Sequence, residues 1–203
     1  MLPSNIEHLS LISYPEPFIL FWAPESEIPV EIVPCSAITT ILNSGSFGSL
    51  INLNISYRWE SDCTEVFFLG LIPQVLPYLE FLGLNRYGRK DSPFGVASSL
   101  EKSLQNLRYL SHLRLNLDKS EGHRHDLFKR RMQQNKPATM MQAMRQVALS
   151  ISSLQFILWL DLIFPNVARS PLWLWHRWKI LRTDGNVELQ AAGTEEVDPL
   201  LHE

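Results

Sequence analysis

The sequence predicts an α/β chain in which helix–turn–strand units stack in series, an irregular right-handed solenoid with parallel strands and a C-terminal hairpin cap. Three observations lead there. A pattern of apolar-x-x-apolar-x-apolar recurs at residues 6–11, 50–55, 79–84, 110–115, 154–159 and 175–180. Five of the six matches have a further large apolar residue three positions upstream: Phe47, Leu76, Leu107, Ile151 and Leu172. In two cases a stripe of 3.6-residue period feeds into the pattern, and the period then switches to 2, as where a helix turns into a strand. Leucine occupies 32 of the 203 positions, so the hexapeptide pattern alone arises by chance and its flanks give it weight.

Taken in order, IEHLSL (6–11) is the first strand. A proline-punctuated insertion over 14–34 follows, with Pro15, Pro17, Pro24, Pro29 and Pro34, and the aromatic run PFILFW is expected to pack over the edge of the stack. Ala37, Ile38, Ile41 and Leu42 form a short helical face ended by Ser44-Gly45-Ser46, leading to LINLNI. Val66 to Ile72 is a second helix, expected to stop at Pro73 and Pro77 before LEFLGL. Leu100, Leu104 and Leu107 stripe a third helix before LSHLRL. A polar, turn-rich, basic loop spans 118–138. Met140, Met144, Val147, Ala148 and Ile151 then stripe a fourth helix before LQFILW. Over 175–190, RWKILRTDGNVEL reads as a capping hairpin, with strands near Trp178–Arg182 and Val187–Gln190 about Asp184-Gly185, a dipeptide suited to a tight turn of positive φ. Residues 1–190 are thus one domain, and 191–203 an acidic tail expected to be disordered. The unit starts lie 44, 29, 31, 44 and 21 residues apart, which a stack accommodates by loop insertions. A flat α/β sandwich with one parallel sheet is the rival built from the same units.

Bulk properties narrow the class. Apolar residues make up 45% and charged ones 19%, so the chain is globular rather than disordered. A net charge of −3 argues against general affinity for nucleic acid, although Lys119 to Lys136 holds six basic residues against two acidic ones. The Lys129-Arg130-Arg131 cluster is too small to change that reading. Cys35 and Cys63 stand in no metal-ligand spacing and read as two reduced thiols of an intracellular protein, cytoplasmic or nuclear. MLPSNIEHLSL has neither a basic n-region nor a continuous apolar h-region, so no secretory signal is expected. The longest greasy run, Ile151 to Phe164, contains Asp161 and falls short of the ~20 residues of a membrane span.

The helix-then-LxxLxL units resemble the leucine-rich-repeat region of fungal F-box-like proteins. The resemblance covers roughly residues 45 to 190 and is carried by LSHLRLNLD, VALSISSLQFILW and the closing WHRWKILRTDGNVEL, a last repeat followed by a Trp/Arg hairpin with an Asp-Gly turn. It implies a leucine-rich-repeat-like fold and a module that recognises proteins, in complete members the substrates of a ubiquitin ligase. Ile28-Pro29-Val30-Glu31-Ile32 is faintly similar to an F-box opening, but a strand follows too soon for the rest, so the F-box itself is not evident.

No phosphate-binding loop, dinucleotide glycine fingerprint, HExxH or GxSxG occurs. His123, His125 and Asp126 have poor spacing for a metal, and Asp118, Glu121 and Asp161 would act as general acids only if partner carboxylates converged on them. The expectation is a monomeric, non-catalytic protein-recognition module without cofactor or metal, binding neither nucleic acid nor membrane. Its candidate contact residues are the outward strand positions: His8 and Ser10, Asn52 and Asn54, Phe81 and Gly83, His112 and Arg114, Phe156 and Leu158. The row turns apolar toward Phe156 and Leu158, so a partner or the hairpin should cover those two. A small α/β-sandwich hydrolase or transferase, or a truncated remnant without independent function, is the alternative.

Overall fold

In the computed structural model, residues 6–12, 32–87, 93–119, 136–163 and 172–196 are described. They form an α/β fold with one seven-stranded sheet in which spatial order equals chain order. The strands are β1 (His8–Leu11), β2 (Asn52–Arg58), β3 (Phe81–Tyr87), β4 (His112–Lys119), β5 (Phe156–Ile163), β6 (Leu172–Thr183) and β7 (Asn186–Glu196). β1 to β5 are mutually parallel, whereas β5, β6 and β7 pair antiparallel. The sheet is not closed into a barrel, and β1 and β7 are its edges. Four helices occur among the described residues: α1 (Cys35–Ser44), α2 (Asp62–Val75), α3 (Pro93–Leu104) and α4 (Lys136–Ser150), each packed on the next.

The turn into each of β2 to β5 is built the same way. The leucine that opens the hexapeptide donates its N–H to the upstream apolar residue: Leu50 to Phe47 (2.9 Å), Leu79 to Leu76 (3.3 Å), Leu110 to Leu107 (3.4 Å) and Leu154 to Ile151 (3.1 Å). Both members of every pair are buried. Burying the two apolar ends fixes the turn, and this is why the flanking residue mattered in the sequence. Each strand then locks to its predecessor through one carbonyl that accepts two successive N–H groups. Glu7 accepts from Ile51 and Asn52, Ile51 from Glu80 and Phe81, Glu80 from Ser111 and His112, and Ser111 from Gln155 and Phe156.

Register places the pattern residues in straight inward rows. Leu9, Leu53, Leu82, Leu113 and Ile157 face one another across five strands, and Leu11, Ile55, Leu84, Leu115 and Trp159 form the next row. All but Leu11 belong to or pack against one core with Ile38 and Leu42 of α1, Phe68, Leu69 and Ile72 of α2, Leu100 and Leu104 of α3, and Met144, Val147 and Ala148 of α4. Each fully buried leucine contributes about 1.5–3 kcal/mol of transfer free energy, so the rows are the main cohesive term.

Helix ends follow local chemistry. Ser61 caps α2, its hydroxyl accepting from the Thr64 N–H at 3.2 Å. At the start of α1 the N-cap is Pro34, which has no side-chain acceptor; the Glu60 carboxylate substitutes by accepting from the Ser36 N–H at 2.8 Å. Hydrogen bonding from Ser36, by its side chain first and then by that N–H, lowers the Glu60 carboxyl from its ordinary value. Cys35 lies in the core, its thiol pushed up to about 11 chiefly by burial, and Cys63 is exposed, so the two do not pair.

Several expectations need correction. α2 runs through Pro73 to Val75, because a proline in the last turn forfeits only its bond to Leu69 while Leu76 still donates to Ile72 at 2.9 Å. Leu107 continues the helical rhythm but sits beyond α3, in the turn. The sixth pattern match, Trp175–Ile180, with its flank Leu172, lies in antiparallel β6 and is not a further parallel unit. The hairpin turns at Asp184 (φ 49°) and Gly185 (φ 81°), as the dipeptide demands, but its strands are longer than read. β7 pairs with β6 as far as Glu196, past residue 190 where the tail was expected to begin. The insertion at 14–34 lies outside the described residues apart from 32–34, of which Pro34 bridges Arg58. Of the basic loop, Asp118 and Lys119 belong to β4 and 136–138 to α4. His123, His125 and the Lys129–Arg131 cluster also lie outside the described residues, as does 197–203.

Candidate functional site

The sheet face opposite the helices gathers the sequence-predicted residues into two rows. One runs His8, Asn52, Phe81, His112 and Phe156, each the direct partner of the next; the other runs Ser10, Asn54, Gly83, Arg114 and Leu158. β6 extends both rows, because Lys179 pairs with Phe156 and Arg177 with Leu158. His8 and Ser10 are exposed, while Asn52, Asn54, Phe81, His112, Arg114 and Phe156 are half-buried.

Two of the ten offer little to a partner. Gly83 is buried beneath the Asn54 amide: a Cβ there would lie 2.3 Å from Asn54 Oδ1. Leu158 is 8% exposed. Asn54 crosses Gly83 because Asn85 Nδ2 donates to its Oδ1 at 3.5 Å, and Asn116 Nδ2 donates in turn to Asn85 Oδ1 at 3.2 Å. This amide chain joins β2, β3 and β4.

Rings dominate the centre of the face. Phe81 stacks on His112 (centroids 6.5 Å, 26°) and His112 on Phe156 (5.0 Å, 21°). The Arg177 guanidinium carbon lies 4.2 Å from the Phe156 ring centroid, and that of Arg114 3.9 Å from the Trp175 ring. The hairpin thus widens the sheet beside Phe156 and Leu158 and lays Arg177 over the Phe156 ring, which stays half-buried. Burial, then the nearby Arg177 charge, lowers the His112 pKa from its ordinary value, Glu80 opposing; the Ser111 hydroxyl stands 2.8 Å from its Nδ1.

On the inner face the sequence reading missed a buried polar network. Arg86 and Glu65 are each 2% exposed. Arg86 Nη2 donates to Glu65 Oε2 at 2.9 Å, its Nε lies 2.6 Å from Oε1, and the Tyr57 hydroxyl donates to Oε1 at 2.7 Å. The Tyr57 hydroxyl is held well above its normal pKa, first by burial and then by the Glu65 charge. The three groups contact one another inside the core and tie α2 to β2 and β3. Arg182 has a comparable task at the other end, donating to the carbonyls of Leu154 (2.5 Å), Ala148 (3.0 Å) and Ile151 (2.9 Å) where α4 ends.

Trp175 and Arg177 were not among the predicted contacts, since only the β5–β6 pairing brings them to this face. Asn85 and Asn116 did carry a signal, each directly following a strict leucine match, in LGLN and LRLN. Among the described residues no three His, Cys, Asp or Glu side chains converge to hold a metal, and no helix is long and apolar enough to cross a membrane. No protein-family model, curated protein or solved structure matches the chain.

Proposed function

We propose that the chain is a leucine-rich-repeat-like solenoid acting as a non-catalytic protein-recognition module, with the outer sheet face as its binding surface. One observation carries this reading: side chains from β1 to β5 stand in two straight rows on a face that no described helix covers. Four turns of the same construction support the repeat character, since stacked units of one design bury a continuous core that none could bury alone. Right-handed crossovers are the strongly preferred way to join parallel neighbours through helices. The resemblance to the repeats of fungal F-box-like proteins extends the reading to a ubiquitin-ligase substrate as the bound partner.

A pull-down with the full chain tests it, comparing wild type with His112→Glu and Arg114→Glu, and with Phe67→Glu on the exposed side of α2 as control. The reading expects the two sheet-face variants to lose a partner that the helix variant retains. Partners unchanged in both sheet-face variants would remove the surface from consideration.

A further inference from the structure

We infer that the β4–β6 portion of the outer face receives an acidic polypeptide segment, extended and with carboxylates alternating with apolar side chains. This rests on the recognition reading above and specifies its ligand.

The orientation of the rings decides the sign of charge that fits. An aromatic ring is electronegative on its faces and electropositive at its edge. Here several of those faces are occupied: His112 lies between Phe81 and Phe156, the other side of Phe156 carries Arg177, and one face of Trp175 carries Arg114. A cationic ligand, or a nucleobase that must stack, therefore finds the faces of His112 and Phe156 taken. The charged groups nearest the rings are the guanidinium groups of Arg114 and Arg177, both positive.

Formal charge adds to this. Arg177 and Lys179 stand side by side with the ring row, and among the described residues no carboxylate pairs with either. The described acids near this face are Glu80, whose charge reaches His112, Glu195, opposite Trp175 on β7, and Glu188, opposite Leu181 nearer the turn. Those glutamates and the net charge of −3 disfavour a polyanion charged at every step. An extended peptide instead repeats its side chains about every 6.6 Å on one side. Carboxylates at such intervals reach the Arg177 and Lys179 heads while intervening apolar groups lie against the half-buried Phe81 and Phe156.

The test uses the full chain and three labelled probes: a peptide of alternating glutamate and valine, its lysine–valine counterpart, and single-stranded oligothymidine. Fluorescence anisotropy at low and raised salt gives affinity, and amide chemical shifts give location. The glutamate–valine peptide should bind tightest, weaken with salt, and shift resonances of Phe81, His112, Leu158 and Arg177. Arg177→Gln combined with Lys179→Gln, at retained circular dichroism, should weaken it about tenfold or more. Tighter binding of the lysine peptide or the oligonucleotide overturns the inference, as does glutamate–valine binding that the double variant leaves unchanged. If the lysine peptide moves the same sheet-face resonances, the acid preference fails while the recognition surface stands. Shifts confined to the helices or to β7 overturn both.

Discussion

Removing the Glu65 carboxylate should destabilise the fold far more than removing the whole polar network. In Glu65→Ala the Arg86 guanidinium, 2% exposed, loses its acceptor at Nη2 and its ion-pair contact at Nε, and the buried Tyr57 hydroxyl loses the carboxylate oxygen it donates to. An uncompensated buried charge of this kind costs about 3–5 kcal/mol. In a chain of 203 residues this lowers Tm by on the order of 10 °C. Replacing all three groups together, as Glu65→Leu, Arg86→Met and Tyr57→Phe, leaves no orphan and should cost less than the single change, under about 2 kcal/mol. Urea unfolding followed by circular dichroism, run as a mutant cycle, measures both. The reasoning is refuted if Glu65→Ala costs less than about 1 kcal/mol, or if the triple variant is the less stable of the two.

Other consequences follow from single contacts. Gly83→Ala should cost about 1 kcal/mol by displacing the Asn54 amide that lies 2.3 Å from the added Cβ, and the penalty should vanish in an Asn54→Ala background; paired chemical-denaturation curves check both. Arg182→Ala, which frees three carbonyls at the end of α4, should cost about 1–2 kcal/mol and raise amide exchange in the last turn of that helix, with Arg182→Lys restoring only part. Because the folded His112 pKa lies below its ordinary 6.5, the unfolded chain binds the proton more readily. Its contribution to stability is therefore complete above 6.5 and lost as pH falls from there through the lowered folded value. Arg177→Gln should move the His112 titration back upward by NMR, and an unchanged titration would contradict the placement of Arg177 beside it.

Much of the fold was legible because it rests on periodicity. The flanking apolar residues Phe47, Leu76, Leu107 and Ile151 marked the turns, and the leucines of the hexapeptides marked the inward rows, since both are buried in every unit. The ten outward positions followed from alternation alone and fall where alternation puts them. What escaped notice depends on partners distant in sequence. Nothing near Arg86 or Tyr57 announces that Glu65 of another element awaits them in the core. The pattern at 175–180 has the same letters as a parallel unit, yet its strand runs antiparallel to β5 as well as to β7, a direction that local periodicity does not carry. Gly83 looked like a contact position because alternation counts places and not side chains; Asn54 fills its space instead.

Strand order and register are tested most directly by cysteine pairs on the outer face, in a Cys63→Ser background that removes the exposed native thiol. Adjacent parallel strands lie about 4.8 Å apart, within disulfide reach, whereas strands one further removed lie about twice that and beyond it. Asn52→Cys with Phe81→Cys, and Phe81→Cys with His112→Cys, should each form an intramolecular disulfide under mild oxidation, while Asn52→Cys with His112→Cys should not. Bridging of the Asn52–His112 pair, or failure of both neighbouring pairs in folded protein, would contradict the stacked order.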